Sequence, residues 1–140
     1  MKISTEEEMI ECGRKLAKEV LERRDDGVVV IELIGDVGAG KTTLTRGLAE
    51  GLGVAEAVTS PSFTISKVYA LPDGGRLVHY DFYRLKEPGL MVEDLAENMA
   101  EPRNVVVIEW GESVAEVIPE EHQRVEIIYN DDGTREVTIS

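Results

Sequence analysis

An α/β fold is what this 140-residue chain predicts, and three observations carry it. Val28 to Ile34 is a β-branched run broken only by Glu32, the pattern of a central strand buried on both faces. It leads straight into a glycine-rich stretch, Gly35 to Gly40, after which Leu44, Leu48 and Leu52 recur every four residues as on a helix. Val105 to Ile108 is a second buried run of the same kind.

The remaining elements follow in order. Ser4 and Thr5 stand three residues ahead of Glu7 and Glu8, a doubled capping signature, and Met9, Cys12, Leu16 and Val20 continue at helical spacing. Arg23 and Arg24 suit the negative end of that helix, and Asp25-Asp26-Gly27 ends it. The helix after the glycine stretch ends near Gly53, and its Gly47 and Gly51 leave a smooth strip able to lie close to a sheet. Thr59-Ser60-Pro61-Ser62 reads as a loop. Thr64 to Leu71 and Arg76 to Tyr83, joined through Pro72-Asp73-Gly74-Gly75, read as a hairpin. Val92 to Ala100 reads as an acid-rich helix, and Glu112 to Val117 as a short one. Gln123 to Tyr129 and Thr134 to Ile139, joined through Asn130-Asp131-Asp132-Gly133, form a closing hairpin. With no repeat, low-complexity tract or linker in view, residues 1–140 read as a single domain.

Composition narrows the function. Hydrophobic residues make up 42% and charged ones 31%, ordinary globular usage. The net charge of −13 repels a phosphate backbone at long range, which argues against stand-alone binding to nucleic acid or an anionic membrane. Residues 27–86 are balanced, with 6 acidic and 6 basic side chains, whereas residues 87–136 hold 14 acidic and 3 basic ones. That acidic part reads either as a solvated surface or as a face for a basic partner. The single Cys12 fits a reducing compartment and reads as a small buried hydrophobe. No apolar leader or 18-residue apolar span is seen, so the expectation is a soluble, cytoplasmic protein.

Gly35-Asp36-Val37-Gly38-Ala39-Gly40-Lys41-Thr42 fits the phosphate-binding pattern G-x-x-x-x-G-K-[ST]. Glycines let the backbone curl with its N–H groups turned inward, and the helix that follows adds the positive end of its dipole. Lys41 is a point charge for β- and γ-phosphate oxygens, and the Thr42 hydroxyl suits Mg²⁺. Oriented amides and one lysine thus allow a globally acidic chain to hold an anion. Such a site also needs a carboxylate at the end of a neighbouring strand. Asp81 ends Leu77-Val78-His79-Tyr80, and Glu109 ends Val105 to Ile108. The cleaner buried run favours Glu109 for the metal, leaving Asp81 for the metal shell or the attacking water. His79 reads as a packed strand residue and His122 as exposed. Trp110 reads equally as a neighbour of the nucleotide or as core.

Four ordered segments, GDVGAGKTTLTRGLAEGLG, VTSPSF at 58–63, HYDFYRL at 79–85 and VVVIEWGE at 105–112, together resemble the TsaE (YjeE) family. These are small P-loop ATPases required in bacteria for threonylcarbamoyladenosine on transfer RNA. The resemblance runs from about residue 3 to residue 139. It implies a three-layer α/β P-loop NTPase fold with a mixed, mostly parallel central sheet and a C-terminal hairpin. It further implies weak Mg²⁺-dependent ATPase activity with TsaB and TsaD as partners, transfer RNA being met only through the complex. By the same resemblance Gly35, Asp36, Gly38, Ala39, Gly40, Lys41, Thr42 and Thr43 belong to the ATP site. Thr42, Glu109 and Asp81 belong to Mg²⁺ and hydrolysis, and Thr59, Ser60, Pro61 and Thr64 to a switch-like loop. Thr5, Trp110 and Arg135 approach the base and sugar. Met9 and Gly111 stand where the family often has threonine and proline.

The expected activity is therefore an ATPase that works as a switch. Two other classes share the motif: a small-molecule kinase, and an ATP-gated adaptor that does not hydrolyse. A kinase of this type usually carries an arginine-bearing lid, yet after Arg84 the arginines are only Arg103, Arg124 and Arg135, widely scattered.

Overall fold

Thr5, not Ser4, caps the first helix: its hydroxyl accepts the Glu8 N–H at 3.1 Å and donates to the Glu8 carboxylate. In the computed structural model the residues described are 1–24, 27–36, 38–59, 66–83 and 89–140, the side chain of Leu90 excepted. The strands are β1 (Lys2–Ile3), β2 (Val29–Ile34), β3 (Ser66–Ala70), β4 (Arg76–Asp81), β5 (Val105–Glu109), β6 (Gln123–Tyr129) and β7 (Arg135–Ile139). The α-helices are α1 (Glu6–Arg23), α2 (Lys41–Leu52) and α3 (Leu90–Met99). The expected helix at Glu112 to Val117 is instead one 3₁₀ turn, Gly111–Val114. Asp25, Asp26, Val37 and the loop residues Ser60, Pro61 and Thr64 lie outside the described residues, as do Ser62, Phe63, Arg84 and Leu85.

One sheet of order β1-β7-β6-β2-β5-β4-β3 runs through the molecule. Its centre is parallel, with β2 between β6 and β5 and β4 beyond β5, and the outer pairs β1–β7, β7–β6 and β4–β3 are antiparallel. The sheet is thus mixed, and both expected hairpins are present. β1 was not expected from the sequence; it adds two residues beside β7.

The strand periodicity sorts side chains into two cores. Ile31, Leu33, Leu77, Val105, Val107, Val125 and Ile127 join Leu16, Val20, Leu44 and Leu48 under α1 and α2. Val30, Val78, Tyr80, Val106 and Ile108 join Leu95 of α3 on the other face. Helices on both faces of one sheet make the three layers, and the P-loop NTPase fold class stands.

The glycine strip of α2 faces α1 rather than the sheet. A Cβ on Gly47 would stand 2.1 Å from the Ile10 carbonyl oxygen, and one on Gly13 would stand 2.2 Å from that of Leu44. The two helices meet backbone to backbone. At the N-terminal end of the parallel strands Arg24, 7% exposed, pins three segments. Its guanidinium forks onto the Asp73 carboxylate at 2.8 and 2.9 Å, and its Nε–H donates to the Arg103 carbonyl at 3.0 Å.

Candidate phosphate-binding site

The opposite, C-terminal end of the parallel strands gathers the glycine loop with Lys41, Thr42, Asp81, Glu109, Trp110 and Arg135. β2 ends at Ile34 and the chain turns at once, with the Ala39 N–H donating to the Asp36 carbonyl at 3.0 Å. Gly38 (φ 84°) and Gly40 (φ 110°) both occupy the left-handed region, which glycine adopts without steric cost. Gly40 is the N-cap of α2 and has no side chain to satisfy the first-turn N–H groups, and no acidic residue occupies that turn. A twelve-residue helix therefore presents uncapped amides and its positive dipole end at the head of the loop. Thr42 and Thr43 lie half-buried in that first turn.

Lys41 is 6% exposed and sits among three partners. Its ammonium donates to the Gly35 carbonyl at 2.6 Å, lies 3.7 Å from Glu109 Oε1 and stands 4.2 Å from the centre of the Trp110 ring. Glu109, also buried, accepts from His79 Nε2–H through its other oxygen at 2.5 Å. The Asp81 and Glu109 backbones are direct partners across β4 and β5, so both carboxylates leave the same face at the strand ends, on the α2 side. Asp81 is half-buried, and its Oδ1 accepts the Tyr83 N–H at 3.0 Å.

Trp110 leans on the second core, as one of its two readings expected, and its ring lies under the Lys41 ammonium. Among the described residues it is the one non-glycine with positive φ (56°), and Tyr83 packs on it with ring centres 4.7 Å apart. That backbone conformation costs about 1–3 kcal/mol for such a side chain, and the packing that holds it aims the ring at the lysine. Arg135 reaches in from β7: its guanidinium stacks on Tyr129 at 4.9 Å and donates to the Gly38 carbonyl at 3.4 Å. A Cβ on Gly40 would meet Met9 Cε at 3.1 Å and Arg135 Cδ at 3.6 Å. Met9 is thus the α1 residue in touch with the loop, whereas the Thr5 hydroxyl is occupied in capping. Thr59 is exposed, and its hydroxyl accepts from Lys67 while its backbone N–H donates to the Tyr69 hydroxyl at 3.3 Å, fixing the start of the loop that follows to β3.

Two features were not foreseen. His79 is fully buried, as a packed strand residue should be, yet it bonds directly to Glu109. It is the one polar residue between Leu77 and Tyr80, on the same strand face as Asp81, and that alternation was the available signal. His122 is half-buried rather than exposed. Its Nε2 lies 3.1 Å from Glu32, which also faces Arg124 at 3.5 Å. Glu32, Asp36, Trp110 and Gly111 line a cavity of about 140 Å³ beside the loop. The missing side chain at Gly111 matters there, because a Cβ would stand 3.2 Å from Glu32 Oε2.

The oxygen donors fit a hard divalent cation. Thr42 offers a hydroxyl, and Glu109 and Asp81 offer carboxylates from adjacent strand ends, with Glu109 Oε1 turned toward the P-loop lysine. Among the described residues no three His, Cys, Asp or Glu side chains form a cage of their own, so phosphate oxygens and water would have to complete the shell.

Comparison with known proteins gives the chain's family and its fold likeness. The family model described as "Threonylcarbamoyl adenosine biosynthesis protein TsaE" matches residues 3–137. A Streptomyces coelicolor protein named tRNA threonylcarbamoyladenosine biosynthesis protein TsaE is 49% identical over 120 residues, 85% of this chain and 78% of that protein. Its Haemophilus influenzae namesake is 35% identical over 131 residues, 94% and 82% of the two chains. The crystal structure of Bacillus subtilis YdiB superposes with a TM-score of 0.75 at 32% identity, covering 99% of this chain and 82% of that one.

Proposed function

The chain belongs to the TsaE family, and on that premise we propose that residues 1–140 form a single ATPase domain that binds and hydrolyses ATP as a switch in threonylcarbamoyladenosine formation on transfer RNA. One observation carries the reading. A buried lysine at the head of an uncapped helix faces the strand-end carboxylate Glu109, and Asp81 is that residue's register partner. Such an arrangement suits a polyphosphate, whose charge would take over the ammonium from Gly35, Glu109 and Trp110.

In this reading the amides of Gly38 to Lys41 and the Lys41 ammonium hold the β- and γ-phosphates. Thr42, Glu109 and Asp81 would hold Mg²⁺, which when bound neutralises charge on the phosphate oxygens. Asp81, the less buried carboxylate, orients the attacking water. Trp110 and Arg135 border the loop from two sides, where the base and ribose would lie. Loss of the γ-phosphate would act on the loops at 59–64 and 79–85 that the sequence assigns to the switch, of which residues 60–64, 84 and 85 lie outside the described residues.

The partners in this reading are TsaB and TsaD, with transfer RNA reached through them in the cytoplasm. Of the 14 acidic residues between 87 and 136, Glu109 is buried and every described one besides Asp94 and Glu136 is exposed. An acidic surface of this kind suits a basic protein face and gives an association that weakens with salt.

Reconstitution with TsaB and TsaD tests the proposal, with ATP hydrolysis and transfer RNA modification followed over many turnovers. The expectation is that both depend on this protein and that Lys41→Ala removes the dependence. Full activity of Lys41→Ala would reject the site. Phosphate appearing on a small-molecule acceptor would make the protein a kinase, and repeated turnovers supported by a non-hydrolysable ATP analogue would make it an adaptor.

A further inference from the structure

His79 occupies a position that apolar residues fill more cheaply. It has no exposed surface, and its Nδ1 has no hydrogen-bond partner among the described residues. An unpaired polar atom in such a place is a standing cost. What offsets it is the bond at the other nitrogen. A carboxylate can only accept, so Nε2 carries the proton that it gives to Glu109 Oε2, at 2.5 Å. Hydrogen bonds to a carboxylate are among the stronger ones a buried side chain makes.

The other partner of Glu109 is of a different kind. Lys41 lies 3.7 Å from Oε1, within ion-pair range and beyond hydrogen-bond range. Among the described residues His79 therefore supplies the one hydrogen bond to that carboxylate. The topology explains how. β4 pairs with β5 so that His79 lies opposite Val107 and Asp81 opposite Glu109. The imidazole thus reaches diagonally along the ladder to a side chain two residues further on, the spacing at which long side chains still meet.

Resting on the nucleotide-site reading above, we propose that His79 is a positioning residue: it fixes the Glu109 carboxylate through Oε2 so that Oε1 stays turned toward Lys41 and the metal. When the lysine turns to a phosphate, the histidine bond is the tie that still holds Glu109. Groups of this outer kind set ligand orientation, and their loss commonly lowers metal affinity about 10- to 100-fold.

The test is Mn²⁺ binding to the full chain saturated with ADP, followed by electron paramagnetic resonance. Urea unfolding and metal-free ADP affinity are measured on the same samples. His79→Leu is expected to fold and to bind ADP without metal as the wild type does, while losing about 10- to 100-fold in Mn²⁺ affinity. His79→Gln, whose amide N–H can stand where Nε2–H stands, is expected to recover most of it. His79→Asn, whose donor falls short, is not, and the Gln and Asn pair decides the matter if His79→Leu does not fold. Equal Mn²⁺ affinity in His79→Leu and wild type overturns the positioning role alone, as does a Gln variant no better than Asn. A wild type that binds no Mn²⁺ beside ADP overturns the nucleotide-site reading and the positioning role with it.

Discussion

Two buried cations sit at opposite ends of the parallel strands, and they are held in opposite ways. Arg24 and Lys41 have equally hidden side chains, 6% exposed in each case. Arg24 makes a two-pronged contact with Asp73 and a third bond to the Arg103 carbonyl, a planar fork with its donors placed. Lys41 has one short bond, one loose ion pair and a ring face. The first arrangement ties α1, the β3–β4 turn and the approach to β5 together and leaves the cation little else to do. The second keeps a charge dry with partners that, on the proposed reading, can be exchanged for phosphate. On that reading burial alone does not separate a structural cation from a functional one; the geometry of its partners does.

Substitutions can break this contrast. The largest effect is expected for Lys41→Ala, a loss of at least about 100-fold in ADP affinity by calorimetry, from removing a charge-assisted contact of about 3 kcal/mol. Its unfolding free energy should fall as well, by about 1–3 kcal/mol, because the Gly35 carbonyl loses its donor in a buried setting. Arg24→Met should cost about 2–3 kcal/mol in urea unfolding through its lost charge-assisted hydrogen bonds, but with ADP affinity of the folded protein unchanged. Equal loss of binding in both variants would erase the distinction. Gly47→Ala should cost about 1–3 kcal/mol, since the added methyl meets the Ile10 carbonyl and two backbones must part.

The smallest effect is one of pH. The side-chain bond from Arg24, and then the Gly75 N–H, hold the Asp73 carboxyl below its ordinary range. A carboxyl depressed by folding adds stability that is fully present above its unfolded value and is lost as pH falls through the folded one. The stability difference between wild type and Asp73→Asn should therefore be level at neutral pH and shrink below about pH 4, as read from unfolding curves. Exposure of Asp73 keeps this increment small.

What was legible in the sequence was local. The runs at Val28 to Ile34 and Val105 to Ile108, the Thr5 cap before α1, the glycine turn at Gly38 and Gly40 and both hairpins carry their signals within a few residues, and these appear. Asp81 and Glu109 were readable as strand ends because a charge closes each run. The rest depends on register and on partners far along the chain. Nothing in the sequence near His79 tells that Glu109, thirty residues on, lies diagonal to it. Glu32 and His122 are ninety residues apart. Two residues of β1 are too few to show an alternation. The glycines of α2 announce a close approach without saying to what, and the neighbour is a helix.

That close approach also makes a clock. Cys12 is the single cysteine of the chain, 2% exposed on α1 beside Gly13, where the backbones of α1 and α2 touch, and burial pushes its thiol up from the ordinary range. A thiol reagent can reach it only while the core around α1 is open. The rate at which Cys12 is alkylated therefore counts those openings, and a ligand held by the head of α2 should slow the count by the factor with which it stabilises the closed core. The molecule thus reports on its own opening without any added label.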